Sequence, residues 1–120
     1  MKRIAIVDDN LMMRAFLEEV LAKDFSVQTF ENGAEAMSFY ETNEQPDVML
    51  LDYEMEGMNG KQVLELMKSS GFYKDLPIVL LSGQKKSETR ISCLALGAKD
   101  FITKPFHPQE LVLRINNALN

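Results

Sequence analysis

Short apolar runs alternate with amphipathic stretches five times along these 120 residues, and few folds accept that rhythm. Ile4-Ala5-Ile6-Val7, Val48-Met49-Leu50-Leu51 and Ile78-Val79-Leu80-Leu81 are unbroken apolar runs, as strands covered on both faces of a sheet require. Phe25-Ser26-Val27-Gln28-Thr29-Phe30 alternates instead, like an edge strand with one wetter face, and Ala98-Lys99-Asp100-Phe101-Ile102 reads as a second edge. Between the runs lie helical patterns. Met13, Phe16, Leu17, Val20 and Leu21 form one apolar stripe after Asn10. Ala36, Met37 and Tyr40 follow Gly33, and Val63, Leu64 and Met67 follow Gly60 in a segment ending near Gly71. Ser87 opens the fourth helix, without a capping box because residue 90 is Arg. Pro108 opens the fifth at a first-turn position, with Leu111, Val112, Ile115 and Leu119 facing inward.

Strand followed by helix, five times over, implies a parallel sheet with helices on both faces. The expected fold class is α/β: a flavodoxin-like, doubly wound (βα)5 sheet with strand order 2-1-3-4-5. Residues 1–120 show no linker, internal repeat or low-complexity segment, so a single domain without an output module is expected. A chain of this length buries roughly two-thirds of its unfolded surface, enough to fold without staples. The lone Cys93 cannot form an internal disulfide. No apolar run approaches the ~20 residues that cross a bilayer. The N-terminal run stops at Asp8, too short for an export signal, so a cytoplasmic protein without membrane contact is expected. Net charge is −5, which argues against nucleic-acid binding. Residues 1–59 hold 4 basic and 13 acidic side chains, residues 60–120 hold 9 and 5, and no basic cluster is interleaved with aromatics.

Ligands of open α/β sheets bind beyond the carboxyl ends of the strands, where strand order reverses. Asp8-Asp9 follow the first strand, Asp52 the third, Ser82 the fourth and Lys104 the fifth. The reversal lies between strands one and three, where all three carboxylates fall. Two like charges 4 Å apart repel by roughly 4 kcal/mol at an effective dielectric near 20. A divalent cation removes that conflict, and oxygen-only ligands favour Mg²⁺ or Mn²⁺. Lys104 adds a cation and Ser82 a hydroxyl donor. Together these parts suit transfer of a phosphoryl group to a carboxylate. Taken singly they are ordinary: an Asp pair can cap a helix, and Asp52 can be a turn residue. Their conjunction on four loops of one sheet edge carries the functional reading.

These positions resemble the receiver domains of bacterial response regulators, in particular the chemotaxis-type single-domain regulators. The resemblance extends to Gly57-Met58-Asn59-Gly60 and to Gly97-Ala98-Lys99-Asp100-Phe101-Ile102, and covers the whole chain. It implies that Asp52 accepts phosphate from a sensor histidine kinase or a phosphotransfer protein. It further implies that Asp9, Asp52 and the backbone carbonyl of Glu54 ligate Mg²⁺, with Asp8 acting through water. Lys104 would bind phosphoryl oxygens, and the Lys104-Pro105 bond would be cis. Ser82 would move toward the phosphate, Phe101 would turn inward as the aromatic switch, and Glu54 and Gln84 would tune phosphoryl lifetime. Such a domain catalyses its own phosphorylation and dephosphorylation, with no separate substrate. The signal would pass to the face built by the fourth helix, fifth strand and fifth helix. Residues 85–119 there hold 6 basic and 3 acidic side chains, suited to an acidic output partner or to self-pairing.

Other classes fit less well. A pseudo-receiver that binds partners without phosphorylation would not need the intact acidic site. Phosphatases of the haloacid dehalogenase type carry D-x-D where this chain has Asp52-Tyr53-Glu54, and flavodoxins carry a Ser/Thr-rich loop where it has Asp8-Asp9-Asn10. Ser82-Gly83-Gln84-Lys85 matches S-x-x-K, but its partner motifs are missing.

Overall fold

Successive residues of a strand face opposite ways, so an unbroken apolar run must be covered on both sides. The computed structural model, which describes residues 1–120, meets that need with five strands and five helices in strict alternation. These are β1 (Arg3–Val7), α1 (Leu11–Leu21), β2 (Ser26–Phe30), α2 (Gly33–Tyr40), β3 (Val48–Asp52), α3 (Gly60–Lys68), β4 (Ile78–Ser82), α4 (Ser87–Ala95), β5 (Asp100–Thr103) and α5 (Pro108–Ala118). All strand pairs are parallel, in the order β2-β1-β3-β4-β5. The doubly wound α/β fold expected from the sequence is therefore the observed one, with the two alternating or shorter strands at the edges.

Strand parity splits the core in two. Ala5, Val7, Met49, Leu51, Ile78 and Leu80 pack with α2, α3 and α4 through Ala36, Tyr40, Val63, Leu64, Met67 and Cys93. Ile4, Ile6, Val48, Leu50, Val79 and Leu81 pack with α1 and α5 through Leu17, Leu21, Leu111 and Ile115. Asparagines start three helices by accepting backbone N–H groups that would otherwise be unpaired. Asn10 accepts from Met13 at 2.8 Å, Asn32 from Glu35 at 2.8 Å, and Asn59 forms a reciprocal capping box with Gln62. These caps fix where α1 and α3 begin, immediately beside the strand ends that carry the acids.

Several local expectations are corrected. Phe16 is not in the core: it is 45% exposed and leans on Phe106 with ring centroids 6.1 Å apart. The α3 helix ends at Lys68 rather than near Gly71, where the Ser69 hydroxyl turns back to donate to the Leu66 carbonyl. The α4 helix does open at Ser87 without a capping box, as expected, with Lys86 as its cap. The β5 strand begins at Asp100, because Ala98 lies in the turn that closes α4. Gly97 takes φ +109°, and the Gly97 and Ala98 N–H groups donate to the Leu94 and Cys93 carbonyls. Leu119 is only partly covered, whereas Cys93 is fully buried. No helix is long and apolar enough to cross a membrane.

Candidate functional site

Parallel pairing aligns the ends of β1, β3 and β4, and with them the polar residues that follow. Asp8, Asp9 and Asp52 each place a carboxylate oxygen within 4.8 Å of the others. Asp8 is buried: its Oδ1 accepts the Asn10 N–H at 2.9 Å, while its Oδ2 is enclosed without any partner. Burial pushes the Asp8 carboxyl above its usual range, helped by the Asp9 charge and opposed by the Asn10 bond and Lys104. Asp9 is exposed and accepts the Glu56 N–H at 2.9 Å, which ties the loop after β3 to the end of β1. The Arg14 guanidinium donates to the Asp8 carbonyl at 2.7 Å and holds α1 against the same loop.

Asp52 is 3% exposed, and the Lys104 ammonium donates to its Oδ1 at 2.7 Å. Burial pushes the Asp52 carboxyl up to about 6; the Lys104 bond opposes this, while the charges of Asp8 and Glu54 add to it. The Lys104 N–H donates to the Ser82 carbonyl at 2.7 Å, which ties its backbone to the end of β4, and the Lys104-Pro105 bond is cis. A cleft of about 420 Å³ opens over these groups, walled on the α1 side by Met12, Met13 and Phe16.

Ser82 is fully buried and shares the pleat face of Leu80, whose partner on β5 is Phe101. Its hydroxyl donates to Glu54 Oε2 at 2.6 Å and accepts the Gln84 N–H at 2.9 Å. Phe101 is buried, with Tyr53 edge-on at 6.5 Å between centroids. Gln84 points away: its side-chain oxygen accepts the Thr89 hydroxyl at 3.0 Å, and it does not line the cleft. Asp8, Asp9, Asp52, Lys104, Ser82 and Glu54 thus come together, whereas Gln84 joins them only through its backbone N–H. The sequence reading gave Glu54 a metal-binding carbonyl and a side chain that tunes phosphoryl lifetime, but not the contact of its carboxylate with Ser82 and with the Gly83 N–H, which it accepts at 2.9 Å. No local pattern signals that contact.

The donor set suits a hard divalent cation. All three side chains offer oxygen, one buried oxygen has no partner, and the Glu54 carbonyl accepts no backbone hydrogen bond. Such an ion would relieve the mutual repulsion of the acids.

Sequence relatives and solved structures are consistent with this geometry. The phosphate regulon transcriptional regulatory protein PhoB of Klebsiella pneumoniae is 36% identical over 115 residues, covering 95% of this chain and 50% of PhoB. A protein-glutamate methylesterase/protein-glutamine glutaminase of Treponema pallidum is 41% identical over 116 residues, covering 92% of this chain and 28% of that protein. The chain therefore spans half or less of the length of these relatives. The structure of Vibrio cholerae chemotaxis protein CheY4 superposes with a TM-score of 0.89 at 26% identity, covering 98% of each chain. The model of the response regulator receiver domain matches residues 4–116, and the chain belongs to that family.

Proposed function

We propose that this chain is a Mg²⁺-dependent phosphorylation switch in which Asp52 takes a phosphoryl group from the phosphohistidine of a sensor kinase or phosphotransfer protein. The observation that carries this reading is the buried Asp52 carboxylate, held by Lys104 at 2.7 Å with two further carboxylates beside it. Lys104 engages one Asp52 oxygen and leaves the other to attack phosphorus. The new O–P bond forms as the P–N bond to histidine breaks, and the departing imidazole nitrogen keeps the electron pair. Lys104 then neutralises charge on the transferred group, and Ser82 is the nearest buried hydroxyl able to donate to it. Asp9, Asp52 and the Glu54 carbonyl would hold Mg²⁺, with Asp8 acting through water. Bound there, Mg²⁺ would supply charge neutralisation for the transfer.

Receiver domains are signalling modules without a separate substrate, and the switch proposed here runs through Ser82 and Phe101 to the α4-β5-α5 face. That face exposes Ile91, Leu94 and Leu113 beside the basic side chains Lys85, Lys86 and Arg90. We assign it to an acidic output partner or a second copy of the chain, and residues 1–120 to a single module without nucleic-acid or membrane contact. The free thiol of buried Cys93 suits a reducing compartment, and we assign the cytoplasm. The test is intact-mass measurement after incubation with Mg²⁺ and acetyl phosphate. Wild type should gain one phosphoryl group, and Asp52→Ala should gain none. An unmodified wild type, or a modified Asp52→Ala, would overturn the assignment.

A further inference from the structure

Two donors at the site converge on a single anion that is not the acceptor. The Glu54 carboxylate accepts the Ser82 hydroxyl at 2.6 Å through Oε2 and the Gly83 N–H at 2.9 Å through Oε1. Its Oε1 also lies 4.0 Å from the Lys104 ammonium, which is bonded to Asp52 at 2.7 Å. Bonds of this kind to an ionised acceptor are stronger than neutral ones. They are also the bonds that a phosphoryl oxygen would seek. A phosphoryl group brings about −1.5 to −2 of charge and three acceptor oxygens. On Asp52, beside Lys104, its free oxygens would compete for the hydroxyl and the N–H that Glu54 holds.

We propose that the Glu54 carboxylate is an internal stand-in for the phosphoryl group, occupying its Ser82 and Gly83 donors until phosphorylation displaces it. The inference rests on the reading of Asp52 as the acceptor. Glu54 has somewhere to go, since its side chain is 40% exposed. Ser82 and Phe101 are both buried while the stand-in is bound, so the switch side chains are held in place by an anion before any phosphate arrives. The thermodynamic consequence has one sign. A state in which Glu54 fills the donors cannot also have an external anion in them, so every molecule in that state lowers the apparent affinity for the anion.

Beryllofluoride with saturating Mg²⁺ is the probe, titrated into wild type, Glu54→Ala, Glu54→Gln and Glu56→Gln, with the Gly83 amide followed by NMR. Without beryllofluoride, the Gly83 amide proton should shift upfield in Glu54→Ala as its bond to a carboxylate is lost. Glu54→Ala should then bind beryllofluoride at least about tenfold more tightly, because hydrogen bonds to a charged acceptor no longer have to be exchanged. Glu54→Gln, with one neutral acceptor left, should fall between. Glu56→Gln removes a charge from the same loop without touching Ser82 or Gly83, and should change affinity by no more than about twofold. If Glu54→Ala binds no more tightly than Glu56→Gln, or leaves the Gly83 amide unmoved, the stand-in is overturned while Asp52 remains the acceptor. If no variant and no wild type binds beryllofluoride, the acceptor reading fails and takes the stand-in with it.

Discussion

Burial and charge pull Asp52 in opposite directions. Its carboxylate is nearly inaccessible, flanked by Asp8 and Glu54, and compensated by Lys104 alone, so its pKa is pushed up to about 6 from 3.8. Below pH 3.8 the group is protonated whether the chain is folded or not. The stabilisation is fully present there and is lost as pH rises through about 6. In chelated buffer, Asp52→Asn should therefore exceed wild type in stability by on the order of 1–3 kcal/mol at pH 7.5, and by little at pH 4. Urea unfolding at the two pH values measures this; an equal gap at both would refute it. Mg²⁺ should narrow the gap at pH 7.5, since it stabilises the charged cluster in wild type. Each of these acids was visible in the sequence because it stands at or just beyond the end of an apolar run. The bonds made by the Glu54 carboxylate were not, because its partners Ser82 and Gly83 lie 28 and 29 residues away.

At the scale of elements, the start of α3 is pressed against the end of β3. A Cβ on Gly60 would stand 2.7 Å from the Asp52 carbonyl oxygen and from Tyr53 Cα, and 2.9 Å from Leu80 Cδ1. The Gly60 N–H also donates to the Tyr53 carbonyl at 2.8 Å. Gly60→Ala should thus cost about 1–3 kcal/mol and weaken Mg²⁺ binding by displacing Asp52. Gly71→Ala is the control, with nothing within 4 Å of the added carbon. Chemical denaturation and a Mg²⁺ titration check both, and equal behaviour of the two variants would contradict the close approach. On the other side of the sheet, Arg114 grips Asp100 with two bonds, Nε to Oδ2 at 2.9 Å and Nη2 to Oδ1 at 2.7 Å. That fork locks α5 to edge strand β5. The elements were legible from apolar period, but their ends were set by caps and turns whose partners the period does not register, as at Ala98 and Ser69.

Across the whole molecule, charge is divided between the two halves of the chain. The acidic first half supplies the three clustered carboxylates and the basic second half supplies Lys104, so the site forms only when the halves pack into one sheet. The same asymmetry leaves Lys85, Lys86 and Arg90 exposed at and before α4, close in sequence to the exposed apolar Ile91 and Leu94. Reversing all three charges to Glu should weaken pairing of the Mg²⁺- and beryllofluoride-loaded chain, with itself or with an acidic partner, by roughly tenfold. Sedimentation equilibrium and partner titration read this, and unchanged affinity would remove the face from consideration.

The order of strand and helix was set by the sequence alone, because apolar runs and stripes at their own periods leave one economical way to bury both faces of a sheet. That order already located Asp8, Asp9, Asp52, Ser82 and Lys104 at one edge, since parallel strands end together. Only the tertiary structure decided which of these side chains meet, and in what company. Phe16 turned outward because α1 buries a narrower stripe than its sequence offers, here Leu17 and Leu21 alone. Glu54 reaches the end of β4 because the loop after β3 lies against it, and brings a carboxylate to two donors that nothing else satisfies. Contacts of that kind depend on tenths of an ångström in loop placement, which no periodicity encodes.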